Sequence, residues 1–350
     1  MKIGIIAPLV YTVPPKGYGG TETVIYHLTE GLVKNGHDVT LFACDGSQTS
    51  AKLESFCNEQ TLGANTEKDG IIYNLERINH IIGLSDNFDI IHNHDGFFTL
   101  SMNRYFKCPF VSTFHFSPNA VTADNFAKKE ILRRNKLVSI SYAQQKSYKD
   151  TEWVGNVYHG TTELDQYTLG QGGEDLVWIG RFNPYKGVED AIAIAERSNH
   201  KLIIAGSVEK GFERYFEEEI KPKIDNKSIV YIGEISLSEK IKLLKEAKAL
   251  LMPIKWDEPF GLVMTEAMAC GTPVIAYDRG SASEIVEDGQ TGFIIPENDI
   301  PAAVEAVKSV SGISRDACRE RVRRHFSIEG MVTEYEKLYK ELRAADESRI

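Results

Sequence analysis

Short β-branched runs recur along the 350 residues with helical patterns between them, and no other feature restricts the fold as much. In the first half they fall at residues 3–7, 39–43, 90–92, 110–113, 137–140 and 157–158. After a polar, glycine-rich link at residues 170–175 the pattern restarts, at 176–179, 202–205, 229–232, 249–252, 274–277 and 293–295. Strands that alternate with helices pair in parallel, because a parallel neighbour is reached only through a crossover. The chain is therefore expected to be α/β, with two doubly wound Rossmann-like halves, and its length suits two cores. Ligands of such sheets bind beyond the carboxyl ends of the strands. Two halves facing each other would bring both sets of strand-end loops to one interdomain cleft, so function is expected there.

One stretch, residues 256–277, sets Glu258 and Glu266 among residues of buried character. Pro259 suits a first helical turn and Gly271 a C-terminal stop, which predicts a helix over 260–270 running into a strand. Leu262, Val263, Met264, Ala267, Met268 and Ala269 leave that helix almost no polar face. An unpaired carboxylate at Glu266 would cost several kcal/mol, so protein groups or a ligand diol must hydrogen-bond it. Glu258 lies in the loop that delivers the helix. The backbone N–H groups of Phe260, Gly261 and Leu262 at that N-terminus form a seat for phosphate. The plainer alternative has Glu258 stabilising the helix dipole and Glu266 in an internal ion pair.

Charge narrows the partners. Forty Lys and Arg against fifty Asp and Glu leave a net charge of −10, with no general pull toward nucleic acid or an anionic membrane. Five cysteines, Cys44, Cys57, Cys108, Cys270 and Cys318, are scattered singly, against both a disulfide framework and a structural zinc site. The apolar start is a first strand, too short for a signal peptide, and no 18-residue apolar run exists. A cytoplasmic protein is expected. Lys128, Lys129, Arg133, Arg134 and Lys136 form a local basic cluster that is expected to be a solvated helix face in preference to a peripheral membrane contact. The same is expected of Arg319, Arg321, Arg323 and Arg324.

Further candidates fall at strand ends. A long loop after the first strand closes in Gly19-Gly20 before an amphipathic helix over 22–34, letting backbone approach a ligand. His92-Asn-His94-Asp95 ends the third strand with both histidines on one face. Metal ligation there lacks a third ligand, and structural hydrogen bonding is the ordinary alternative. His115 lies just past the fourth strand. In the second half Arg181 and Lys186 follow a strand, where two cations can neutralise a diphosphate, Arg as a fork and Lys as a point charge. Gly206 and Ile232 end the next strands.

The run Glu-Pro-Phe-Gly-Leu-Val-Met-Thr-Glu over 258–266 closely resembles the E-x7-E signature of family 4 retaining glycosyltransferases with the GT-B fold. The Gly-Arg-x4-Lys-Gly segment over 180–187 resembles that family's diphosphate-binding segment. The resemblance covers nearly the whole chain and implies domains over 1–162 and 163–327, with a terminal helix, 328–350, packing back on the first. It implies that Arg181 and Lys186 bind the diphosphate, that Glu258 orients sugar hydroxyls and that Glu266 grips the ribose. Phe260, Gly261 and Leu262 would receive phosphate, and Gly206 and Ile232 would embrace the base. By the same resemblance Gly19 and Gly20 lie beside the donor phosphates and acceptor, His115 near the donor sugar, and His92, His94 and Asp95 on the acceptor side. The expected chemistry is hexosyl transfer from a nucleotide-diphosphate sugar, UDP-hexose before GDP-hexose, to a sugar, lipid or small-molecule hydroxyl. It proceeds with retention, with no cofactor and no metal, in keeping with the lack of an Asp-x-Asp motif. His159-Gly-Thr-Thr-Glu163 departs from the Asn-Gly-x-Asp of many relatives. Other readings of the scaffold are a glycan phosphorylase, a sugar-nucleotide epimerase and a non-catalytic sugar-binding protein.

Overall fold

A computed structural model describes residues 1–17, 19–56, 67–117 and 125–347, with 67–70 described for the backbone alone. It divides into two compact units, Met1–Thr161 with Ile328–Ile350, and Thr162–Ser327. The first unit holds β1 (Lys2–Ile6), β2 (Asp38–Ala43), β3 (Lys52–Ser55), β4 (Ile90–Asn93), β5 (Phe110–Thr113), β6 (Lys136–Ser139) and β7 (Glu152–Asn156). Among the described residues they form one sheet ordered β3-β2-β1-β4-β5-β6-β7, parallel throughout. The second unit holds β8 (Leu176–Ile179), β9 (Leu202–Ala205), β10 (Ile229–Tyr231), β11 (Ala249–Met252), β12 (Val274–Tyr277) and β13 (Gly292–Ile295). Its sheet, ordered β10-β9-β8-β11-β12-β13, is also parallel. Each order reverses beside its first strand, at β1/β4 and at β8/β11, which are the topological switch points where such sheets take ligands.

The apolar runs match every strand except the two edges of the first sheet, β3 and β7. The expected strand at 157–158 is instead β7, Glu152–Asn156, whose half-buried side chains make no continuous apolar run. β3, Lys-Leu-Glu-Ser at the opposite edge, is polar and carries no such run at all. Trp178, Phe182 and Phe216 fill the second core, and Phe42, Ile91, Phe110 and Phe114 the first.

The final helix, Ile328–Glu347, belongs to the first unit. Met331, Val332, Tyr335, Leu338 and Tyr339 are its buried stripe, at the spacing of one helical face. Gly31 in the Gly20–Lys34 helix lets the two helices approach closely, since a Cβ there would lie 2.4 Å from Val332 Cγ2. Asn35 Nδ2 and His37 Nε2 each lie 2.9 Å from Glu336 Oε1. Two tyrosine hydroxyls reach the sheet: Tyr335 is 2.7 Å from Thr113 Oγ1, and Tyr339 is 2.6 Å from His92 Nδ1.

The basic clusters divide. Arg133 and Arg134 pair with Glu130, as a solvated face does. Arg323 and Arg324 pair with Glu320 in solvent. Arg319 is not solvated: it donates to the carbonyls of Leu164, Tyr167 and Ala269, while Arg321 takes those of Glu284 and Ile285. A fixed guanidinium fork satisfies several orphan carbonyls at once, Ala269 O at a helix C-terminus among them. Cys44, Cys108, Cys270 and Cys318 are free thiols, and Cys57 lies outside the described residues. Among the described residues no helix is long and apolar enough to cross a membrane.

Tyr339→Phe leaves His92 Nδ1 buried and unpaired, which costs about 1–3 kcal/mol. Urea unfolding should show that loss with an unchanged slope, and a variant as stable as the wild type would contradict the pairing.

Candidate functional site

The loops leaving β8 and β11 meet at the second unit's switch point. Beyond β8 the chain turns at Asn183, whose Oδ1 accepts from Lys186 N at 3.1 Å, and Trp178 Nε1 donates to Lys186 O at 3.2 Å. Gly187 follows with φ 69°, and a Cβ on it would lie 1.8 Å from Pro253 O. Only glycine permits the Lys186 turn to lie directly on the β11 loop. Lys186 Nζ then donates to Glu258 Oε2 at 2.5 Å, 5.1 Å from the centre of the Trp256 ring. Trp256 Nε1 donates to the same oxygen at 3.0 Å. From the far side Gly280, at φ 55°, presses its backbone onto Glu258, and Ser281 N donates to Glu258 O at 3.0 Å.

Arg181 follows β8 but engages a different acid: its Nη1 is 3.5 Å from Glu209 Oε1, and Asn183 Nδ2 holds Glu209 Oε2 at 2.6 Å. Gly206, just past β9, packs so tightly that a Cβ would sit 1.8 Å from Gly180 O. Its carbonyl accepts from Tyr231 OH at 2.8 Å. Ile232 follows β10 with its side chain exposed.

The expected helix over 260–270 is shorter, Leu262–Ala269, with Gly261 as a left-handed N-cap and Pro259 outside the helix. The N–H groups left without an intrahelical partner at its start are therefore those of Gly261, Leu262 and Val263. Phe260 lies one residue before the cap, outside the helix, and its side chain is a buried core residue packed edge-on against Phe326, with its carbonyl held by Ser281 Oγ. Glu266 lies in a separate cluster from Glu258. Lys240 Nζ donates to its Oε1 at 2.6 Å and Tyr167 OH to the same atom at 3.1 Å. Burial, then the Glu266 charge, raises the Tyr167 pKa, so this phenol stays a donor.

In the first unit, Gly19 caps the Gly20–Lys34 helix at the end of the long loop, where a Cβ would lie 2.6 Å from Pro15 Cβ. Glu22, in the first turn, is buried, and desolvation raises its carboxyl pKa to about 7. Asp95 follows β4 and accepts at Oδ2 from Arg77 Nη2 at 2.6 Å and Thr99 Oγ1 at 2.9 Å. The Arg77 side chain is fully buried, with Nη1 also on Ala7 O. His94 Nδ1 lies 2.9 Å from His115 Nε2, and His115 stacks on His159 at 5.2 Å. His92 does not line an acceptor surface. It is fully buried, with Nδ1 on Tyr339 OH and Nε2 2.8 Å from Thr113 Oγ1, which is the ordinary structural alternative. Among the described residues no cluster could hold a metal ion.

Two family models match the chain: Glycosyltransferase Family 4 over residues 18–150 and Glycosyl transferases group 1 over residues 161–325. The chain belongs to the family 4 glycosyltransferases. An uncharacterized 41.2 kDa protein of the cps region of Klebsiella pneumoniae is 28% identical over 92% of this chain and 96% of that protein. The glycogen synthase of Mycobacterium tuberculosis is 26% identical over 85% of this chain and 83% of its own. Among solved structures, Anabaena Alr3699/HepE in complex with UDP-glucose shares the fold with a TM-score of 0.75 and 16% identity, covering 97% of this chain and 100% of that one. The fold is accordingly GT-B, two parallel-sheet α/β domains.

In this glycosyltransferase, then, Lys186, Glu258 and the Gly261–Leu262 turn adjoin, Arg181 stands on Glu209, and Glu266 stands with Lys240. Trp256, Glu209, Tyr167, Lys240 and Arg77 were not anticipated. Trp256 lies inside the 256–277 stretch and could have been found there; the others come from distant segments and carry no local pattern.

Burial holds His92, His94 and His159 well below the ordinary histidine value and His115 at about 3. Their folded pKa values are depressed, so the unfolded chain binds more protons below its own value of about 6.5. Their neutral forms favour the fold above pH 6.5, and that stability is lost as pH falls toward 3. The unfolding free energy from urea titration should fall between pH 7 and pH 5, by up to about 1.4 kcal/mol per pH unit per histidine. A flat profile would contradict a neutral cluster.

Proposed function

We propose that this glycosyltransferase moves a hexose from a UDP-hexose, or less favourably a GDP-hexose, to a hydroxyl of a sugar, lipid or small-molecule acceptor. The transfer retains anomeric configuration and uses neither metal nor cofactor. The observation that supports it best is the Lys186–Glu258 contact at the β8/β11 switch point, with the Gly261 N-cap next to it. A diphosphate needs cations and backbone donors, and a sugar needs a carboxylate to hold its hydroxyls; this turn carries both.

Charge develops on the leaving diphosphate as the bond from the anomeric carbon to phosphate oxygen breaks. Lys186, Arg181 and the helix N-terminus would meet that charge, and one preplaced donor is worth about 3–4 kcal/mol in the transition state. The acceptor oxygen bonds to the anomeric carbon on the face the diphosphate leaves, and its proton passes to the departing phosphate oxygen. Glu258 orients sugar hydroxyls through Oε1, because Lys186 and Trp256 both address Oε2. Glu266 would grip the ribose through Oε2, because Lys240 and Tyr167 both address Oε1. His115 of the first unit would serve the sugar and Asp95 the acceptor, while His94, buried behind His115, would not touch either. The UDP-glucose complex of the structurally similar Anabaena protein favours uridine.

The test is incubation with UDP-glucose, UDP-galactose and GDP-mannose, with and without candidate acceptors and with EDTA. UDP release that requires acceptor and survives EDTA, with an α-linked product from an α-linked donor, is expected. Conversion of the sugar nucleotide without acceptor would favour an epimerase, and inversion or loss in EDTA would refute the mechanism. Lys186→Ala should lower kcat/KM at least about 100-fold, and near-normal turnover in a folded variant would remove Lys186 from the site.

A further inference from the structure

We propose that His94 is a positioning residue that fixes the tautomer of His115, so that His115 presents a protonated Nδ1 to an oxygen of the substrate. The proposal rests on the reading of His115 as a substrate contact. His94 lies just past β4 with its ring buried, and its Nδ1 is 2.9 Å from His115 Nε2. One proton must lie between these nitrogens. His92, whose ring centre is 4.0 Å from that of His94, cannot share it, because Tyr339 OH and Thr113 Oγ1 occupy both His92 nitrogens.

Burial keeps both His94 and His115 neutral near pH 7, which leaves two arrangements. If His115 donated, His94 would carry its own proton on Nε2, which is buried and has no hydrogen-bond partner among the described residues. If His94 donates, Nε2 holds only a lone pair. A buried N–H without an acceptor is the rarer and costlier defect, so His94 Nδ1–H donates to His115 Nε2. His115 then carries its proton on Nδ1. With Nε2 taken, any further partner of this half-buried ring must address Nδ1. A donor there suits a hydroxyl or phosphate oxygen, whereas the other tautomer would turn a lone pair toward it.

Long-range proton–nitrogen NMR of the full chain labelled with 15N-histidine reads the tautomer directly. In the wild type His115 should show a protonated Nδ1 and a bare Nε2. His94→Leu, which removes the donor, should mix the tautomers and lower kcat at least about tenfold with little change in donor KM. His94→Asn places an amide N–H where Nδ1 stood and should restore both. A wild-type His115 protonated on Nε2 would overturn the proposal even if His94→Leu fails to fold. So would a folded His94→Leu with unchanged tautomer and kcat, the outcome for a residue that only packs. The spectrum does not depend on turnover: an inactive protein with Nδ1 protonated would count against the proposed function and still support the His94–His115 pair.

Discussion

An ammonium and a carboxylate 2.5 Å apart, Lys186 Nζ and Glu258 Oε2, hold together the two loops on which the second unit's site depends. Gly187 lays the β8 loop on Pro253, and Gly280 presses against the backbone of Glu258, so both loops are fixed by backbone packing that a side chain at either glycine would break. Trp256 completes the arrangement, donating to the carboxylate while its ring lies beside the ammonium. A pair this well buttressed is preorganised, which is the condition under which a charge contributes most to a transition state. On the proposed reading it also sets a competition, because an incoming diphosphate would have to share or take the ammonium that Glu258 holds.

The first unit depends on a different device. Its His92 is buried, neutral and bonded to Tyr339 of the last helix, while Tyr335 of the same helix meets Thr113, so residues of that helix set the environment of side chains at the ends of β4 and β5. Asp95 is held in turn by the buried Arg77. A charge or ring nitrogen fixed on several sides can act only in the one direction left open, and that is how a rigid sheet gives polar side chains a defined orientation.

Much of this was legible in the amino-acid order. Parallel strands buried among their neighbours show as apolar runs, which is why the other eleven strands of the described residues could be placed while polar β3 and half-buried β7, the two edges of the first sheet, could not. Lys186 and Glu258 were legible because a strand-end cation and a loop carboxylate lie in recognisable local patterns. The helix start was misplaced by two residues because Pro259 gives the same signal as an N1 proline, and the left-handed Gly261 that caps the helix does not differ in sequence from any other glycine. His92 was misassigned because alternation along a strand gives the face of a side chain and not what covers that face; the covering Tyr339 lies 247 residues away. The partners of Glu266 and Asp95 were missed for the same reason.

The central claim is that the Lys186 ammonium is the seat of a nucleoside diphosphate and that Glu258 competes for it. Calorimetric titration of UDP into wild type, Lys186→Met and Glu258→Gln tests this with no acceptor present. UDP carries no sugar for Glu258 to hold, so binding should weaken about 10- to 100-fold in Lys186→Met, the loss of a charge-assisted contact worth roughly 1.5–3 kcal/mol. In Glu258→Gln it should stay the same or tighten. Equal affinity for all three proteins, or weaker binding in Glu258→Gln alone, would contradict the account.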